Sequence, residues 1–304
     1  MRFKLRFYHP IVLLLSIHFI RKLIIRRNVM SAVNEHRHEV DLLITSSVYR
    51  KNTFIQHALN VTLNWLCNVV NYQDVHKRII VLAFDNVTYV TLKRSFPSLH
   101  VLHWDLPVLY DRFSAGDYRY QLIQVFRANL CAYLAAKRRD FWIAQPDTYW
   151  RENLFEVIDM IAGGCFFVRG NEKSERFFKE TSRILLDQYA TDNNIMCSLC
   201  QQQYEGNKCS FIPIMSNWRW HTSDKKFVPT FLQFDGGYSS ESKFQQMQRL
   251  GAAFVNPETI GEDREASCTS ISEIPGDAIP LRLVLFHSFD NLTVKDLNLY
   301  FKEF

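Results

Sequence analysis

Phe141-Trp142-Ile143-Ala144 is a short apolar run that stops abruptly at Gln145-Pro146-Asp147, and that stop constrains the fold more than any other stretch. Proline has no N–H to give to a central ladder, so a strand through Phe141 must end there. A carboxylate is thereby held at the end of a strand. In open α/β sheets ligands bind outside the carboxyl ends of strands, which makes Asp147 a candidate for a divalent cation or a phosphate-bearing ligand. Oxygen donors suit Mg²⁺ or Mn²⁺, and those ions suit diphosphates. Asp147 equally suits the cap of a following helix, its side chain accepting a backbone N–H two or three residues on.

The chain on either side alternates between strand and helix patterns. Glu39 to Ser47 holds the apolar run Val40, Leu42, Leu43, Ile44 and ends in Thr45-Ser46-Ser47, which predicts a first strand opening into a polar turn. Asn52 to Val70 carries Phe54, Ile55, Leu59, Leu63, Leu66 and Cys67 at three- and four-residue spacings, an amphipathic helix. Arg78 to Asp85 is continuously apolar up to its terminal carboxylate, as in a strand covered on both faces. A short helix over Thr88–Arg94 and a brief strand at Val101-Leu102 come next. Asp117 to Lys137 is a longer helix that bears Arg127 and leads into the Phe141 strand. This alternation is the opening of a doubly wound α/β sheet.

Beyond Asp147 the pattern predicts a helix or turn over Asn153–Ile161 and a strand from the glycine pair Gly163-Gly164 to Gly170. An amphipathic helix over Glu172–Gln188 then ends near Asp192-Asn193, where a helix cap is the simplest role for the acid. Trp218 and Trp220 offer flat faces suited to core packing or to a sugar ring. Phe231 to Phe234 presents a further carboxylate, Asp235, before Gly236-Gly237; a turn-forming role and an acceptor-hydroxyl role both fit it. Leu281 to Asp290 reads as a late strand containing His287, by itself a core histidine.

Net charge is +5, but Arg2, Lys4, Arg6, Arg21, Lys22, Arg26 and Arg27 all precede residue 28 with no acid among them, which leaves 29 basic against 31 acidic residues. The body is therefore not basic, and nucleic-acid backbone binding is excluded as its purpose. The apolar run Phe7–Ile20 between these charges suits a signal-anchor, a signal peptide or an interfacial helix. The uncleaved anchor is expected, with residues 1–27 as anchor, 28–39 as a short stem and 40–304 as the body, facing the lumen of the Golgi or endoplasmic reticulum as a single-pass type II protein. Seven cysteines are more than a cytosolic protein needs, and the odd count leaves at least one free thiol, for which Cys131 inside its helix is the choice. Cys197-x-x-Cys200 with Cys209 and His221 admits a zinc site, a redox pair or a disulfide; a Cys200–Cys209 bridge is favoured.

Gln145-Pro146-Asp147-Thr148-Tyr149-Trp150 resembles the Asp-x-Asp-x-x-Trp segment of the nucleotide-diphospho-sugar transferase domain family, glycosyltransferases of the A-type fold. The resemblance covers about Asp41 to the C-terminus and implies one Rossmann-like α/β domain with a mixed, mostly parallel central sheet. It implies transfer of a sugar from a nucleotide-diphospho-sugar, by analogy a UDP-sugar, to a glycan or glycoprotein hydroxyl. By residue, it implies Mn²⁺ (or Mg²⁺) on Asp147 and His287; Thr45, Asp85, Arg127, Gln145 and Asp147 around the donor; and Asp192 with Asn193, and Asp235, on the acceptor side. Gln145 departs from the family pattern, removing one negative charge beside the metal. That departure favours the rival reading, a catalytically silent, membrane-anchored sugar- or protein-binding module on the same scaffold.

Overall fold

A computed structural model of the 304-residue chain describes residues 8–46, 59–70, 72–110, 113, 116–150, 153, 161–162, 165–209, 215–217, 231–234, 242–249, 251–261 and 264–269. The chain divides into two compact units. The first comprises residues 1–49, 111–141 and 168–209; the second comprises 50–110, 142–167 and 210–304.

The first unit is helical. Helix α1, Tyr8–Ser46, is 39 residues long and packs against α5, Tyr118–Ala136, and α6, Glu172–Asp187, burying Val29 and Val33. Asp117 starts α5 by accepting the N–H of Arg119 at 2.9 Å, and Asn171 starts α6 by accepting that of Ser174 at 3.0 Å. Phe177, Phe178 and Leu185 form the buried stripe of α6, while Glu172 with Arg176 and Glu175 with Lys179 lie one turn apart on its wet face. Helix α7, Asp192–Gln201, is capped by Thr191. A disulfide joins Cys200 to Cys209.

The second unit holds the strands. Strand β1, Ile80–Ala83, pairs in parallel with β2, His100–His103, and α4, Asn86–Ser95, packs on both. A second sheet runs in the order β3 (Phe141–Ile143), β6 (Cys165–Val168), β5 (Ile161–Ala162). A third runs β4 (Thr148–Trp150), β8 (Phe231–Gln233), β7 (Met215–Asn217), with β4 antiparallel and β7 parallel to β8. Helix α2, Leu59–Val69, packs on β4, on the short α3, Val75–Arg78, and on α8, Lys243–Arg249. Nine consecutive residues of α2 are buried, and Leu63, Leu66, Trp150, Phe234 and Met247 share one core.

The result is a mixed α/β protein whose described strands lie in three small sheets, not in one central sheet. The strand expected over Glu39–Ser47 is instead the last part of α1 through Ser46, so Thr45 sits in that helix. A four-residue apolar cluster has the same composition in a strand and on a buried helix face, and here about thirty preceding helical residues carry the chain through it. Residues 28–39 lie in the same helix. Among the described residues no helix is long and apolar enough to cross a membrane. The glycine pair Gly163-Gly164, the tryptophans Trp218 and Trp220, and the late strand at His287 lie outside the described residues, as does Asp235.

The strand-end carboxylate and its partners

Asp147 stands in the bend between β3 and β4. The sequence explains the bend. Pro146 cannot continue the β3 ladder, and the Thr148 hydroxyl donates back to the Gln145 carbonyl at 2.8 Å, closing the turn. The Trp150 indole N–H donates to the same hydroxyl at 3.1 Å. On the far side Phe234 donates its N–H to the Asp147 carbonyl at 2.8 Å, extending the β4–β8 ladder by one bond. Asp147 therefore leads into a strand, and the alternative of a helix cap fails.

Asp147 is 7% exposed. Its Oδ2 accepts from the Lys243 ammonium, whereas Oδ1 is buried and has no hydrogen-bond partner among the described residues. Buried polar atoms are satisfied in the great majority of cases, so an orphan oxygen on a buried carboxylate is unusual. Lys243 opens α8, whose start is fixed by reciprocal bonds: Ser242 donates its N–H to Gln245 Oε1 at 2.8 Å, and Gln245 donates its N–H to Ser242 Oγ at 3.2 Å. Phe244 and Met247 anchor that helix in the core. Gln145, in place of a first aspartate, accepts from Gln233 Nε2 through Oε1 at 2.7 Å, and its backbone N–H points at Cys165 Sγ, 3.3 Å away.

The described residues around Asp147 do not by themselves make the donor set of a divalent cation. Mg²⁺ and Mn²⁺ want several hard, preferably anionic, oxygen ligands. Among the described residues one carboxylate is present here, one of its oxygens holds an ammonium, and the neighbouring amide oxygen is taken by Gln233. No cluster of three or more His, Cys, Asp or Glu side chains placed to hold a metal ion occurs among the described residues.

Asp85 follows β1 by two residues and caps α4, with Oδ1 accepting the N–H of Thr88 at 2.8 Å. Its Oδ2 is buried and, like Oδ1 of Asp147, unpartnered among the described residues. Both of these acidic oxygens belong to the second unit. Arg127 and Asp192 belong to the first unit and are bound to one another: both guanidinium nitrogens Nε and Nη2 donate to the Asp192 carboxylate, and both side chains are buried. The expectation of a surface arginine gives way to this pair. A buried charge needs a partner, and the buried stripe of α5 carries Arg127 inward. Burial, the largest single influence, lowers the guanidinium's proton affinity, but the Asp192 charge, the hydrogen bonds to it and the nearby Cys131 and Tyr120 together hold Arg127 above its ordinary value. Gln124 completes the group by accepting the Asp192 N–H at 3.3 Å.

Two partners escaped the sequence. Lys243 lies 96 residues beyond Asp147 in a helix start that carries only a Ser-x-x-Gln capping pattern, and Gln233 is an ordinary strand position. No local signal ties either to the Gln-Pro-Asp turn. No curated protein and no solved structure matches the chain. Residues 74–160 and 158–247 match the model of the nucleotide-diphospho-sugar transferase family, more than half of the sequence including Asp85, Arg127, Asp147, Asp192 and Lys243, and the chain belongs to that family.

Proposed function

We propose that the protein transfers a sugar from a nucleoside-diphospho-sugar, by preference a UDP-sugar, to a hydroxyl of a glycan or glycoprotein. The observation that carries this reading is the buried Asp147 carboxylate in the bend between β3 and β4, inside the family-matched span, with one oxygen unpartnered among the described residues. In the reaction the bond between the anomeric carbon and the β-phosphate oxygen breaks, and the nucleoside diphosphate leaves with the electron pair. The anomeric carbon bonds the acceptor oxygen, and the acceptor proton passes to a base. Asp192 is committed to Arg127, which leaves Asp235 as the sequence candidate for that base.

Charge developing on the departing diphosphate needs a fixed positive group, and Lys243 supplies one at Asp147. The two disulfides, Cys67–Cys268 and Cys200–Cys209, support a body in an oxidising compartment such as the Golgi or endoplasmic reticulum lumen. The test is to incubate the full chain with a panel of nucleotide-sugars and glycan acceptors and to measure released nucleoside diphosphate. Acceptor-dependent release supports transfer. Nucleotide binding without release under any acceptor would favour the silent sugar-binding module, which the neutral Gln145 makes the second reading.

A further inference from the structure

We infer that Lys243 takes the place of a divalent cation, so that the protein binds its nucleoside-diphosphate ligand without metal; the inference rests on the transferase reading. The charge count is the first support. The two aspartates implied by the family resemblance balance one divalent ion. Here Gln145 is neutral and Asp147 carries one negative charge, which one ammonium balances. The change at Gln145 and the lysine at 243 thus compensate each other, although 98 positions separate them in sequence.

Geometry is the second support. The ammonium is bound to the one carboxylate that a metal would need, and the side-chain amide of Gln233 claims the Gln145 oxygen. An incoming Mn²⁺ would have to displace a cation already seated or share a single carboxylate with it, against like-charge repulsion. The lysine is also suited to the task. Its side chain is 38% exposed while Asp147 is nearly covered, and the two ammonium N–H groups not bound to the acid have no partner among the described residues, which leaves them as donors for diphosphate oxygens. Lysine binds phosphate as a point charge and needs no bidentate fork. The capping bonds of Ser242 and Gln245 fix its backbone before any ligand arrives, so little ordering remains to be done on binding.

The experiment is calorimetric titration of the full chain with UDP and with GDP, in EDTA and again in excess Mn²⁺, for the wild type, Lys243→Gln and Lys243→Arg. Thermal melts check that the variants fold. Expected is a dissociation constant in EDTA within about twofold of that in Mn²⁺, weakened tenfold or more by Lys243→Gln and partly recovered by Lys243→Arg. Binding that appears only with Mn²⁺, or binding untouched by Lys243→Gln, overturns the inference and leaves the transferase reading standing. Absence of binding for both nucleotides in both buffers overturns the two together.

Discussion

Asn68 and Trp150 are joined by a pair of hydrogen bonds: the Asn68 Nδ2 donates to the Trp150 carbonyl at 3.0 Å, and its Oδ1 accepts the Trp150 N–H at 2.7 Å. The amide thus behaves as one residue of a neighbouring strand. One turn earlier on α2, Asn64 repeats the device, donating to the Ala252 carbonyl at 2.8 Å and accepting the Phe254 N–H at 2.5 Å. Helix α2 therefore grips two separate backbone segments, and one of them is the strand that begins next to Asp147.

Asn68→Ala removes the acceptor of the buried Trp150 N–H, while the carbonyl keeps the Tyr72 hydroxyl at 2.9 Å. Taking the partner from a buried donor costs about 1–3 kcal/mol, and that loss is expected as a lower urea midpoint at unchanged slope. An unaltered midpoint would mean that water replaces the amide and that α2 does not hold the strand.

Much of this arrangement is legible in the sequence, and the remainder escaped for a physical reason. Strands β1 and β3, helices α4, α5 and α6, the buried thiol of Cys131 and the Cys200–Cys209 bridge are set by apolar periodicity, Pro146 and short cysteine spacing. Those signals are local. The strand expected at Thr45 failed because a brief apolar cluster carries no period of its own. Lys243 on Asp147, Asn68 on Trp150 and Arg127 on Asp192 are contacts over 96, 82 and 65 positions, and no pattern within either partner's neighbourhood announces the other. Cys67–Cys268 escaped for the same reason, with 201 positions between the two sulfurs.

The Arg127–Asp192 pair makes a two-sided prediction. Asp192→Asn or Arg127→Met alone strands a buried charge or its polar partner, a change that costs about 3–5 kcal/mol when a buried ion pair loses one member. The double variant Arg127→Met with Asp192→Leu removes both charges and is expected to recover most of that loss in chemical denaturation. If the double variant is as unstable as the sum of the singles, the two residues act independently and the pair is not what holds α5 to α7.

The two disulfides differ in what they constrain. In the chain-entropy description a loop of about 200 residues is worth about 5 kcal/mol and one of about 10 residues under about 3 kcal/mol. Replacing Cys67 and Cys268 by alanine is therefore expected to lower the melting temperature more than replacing Cys200 and Cys209. The opposite order, measured by calorimetry under identical buffer, would assign the larger stabilising role to the short loop after α7.

His76 gives the fold a dependence on mild acid. Its Nε2 lies 3.0 Å from the Leu66 carbonyl, and its ring packs edge-on against Phe96 with centroids 5.3 Å apart. Burial pushes its proton affinity below the ordinary value of 6.5, and the hydrogen bond to Leu66 offsets only part of that. Near and below pH 6.5 the unfolded chain therefore binds more protons at this residue than the folded one. Its contribution to stability is full above that pH and is lost as pH falls toward the lowered folded value. Urea midpoints measured from pH 8 to pH 5.5 are expected to decline for the wild type and to decline less for His76→Gln, whose amide can still donate to Leu66. Equal slopes for the two proteins would remove His76 as the source and assign the acid sensitivity to other groups.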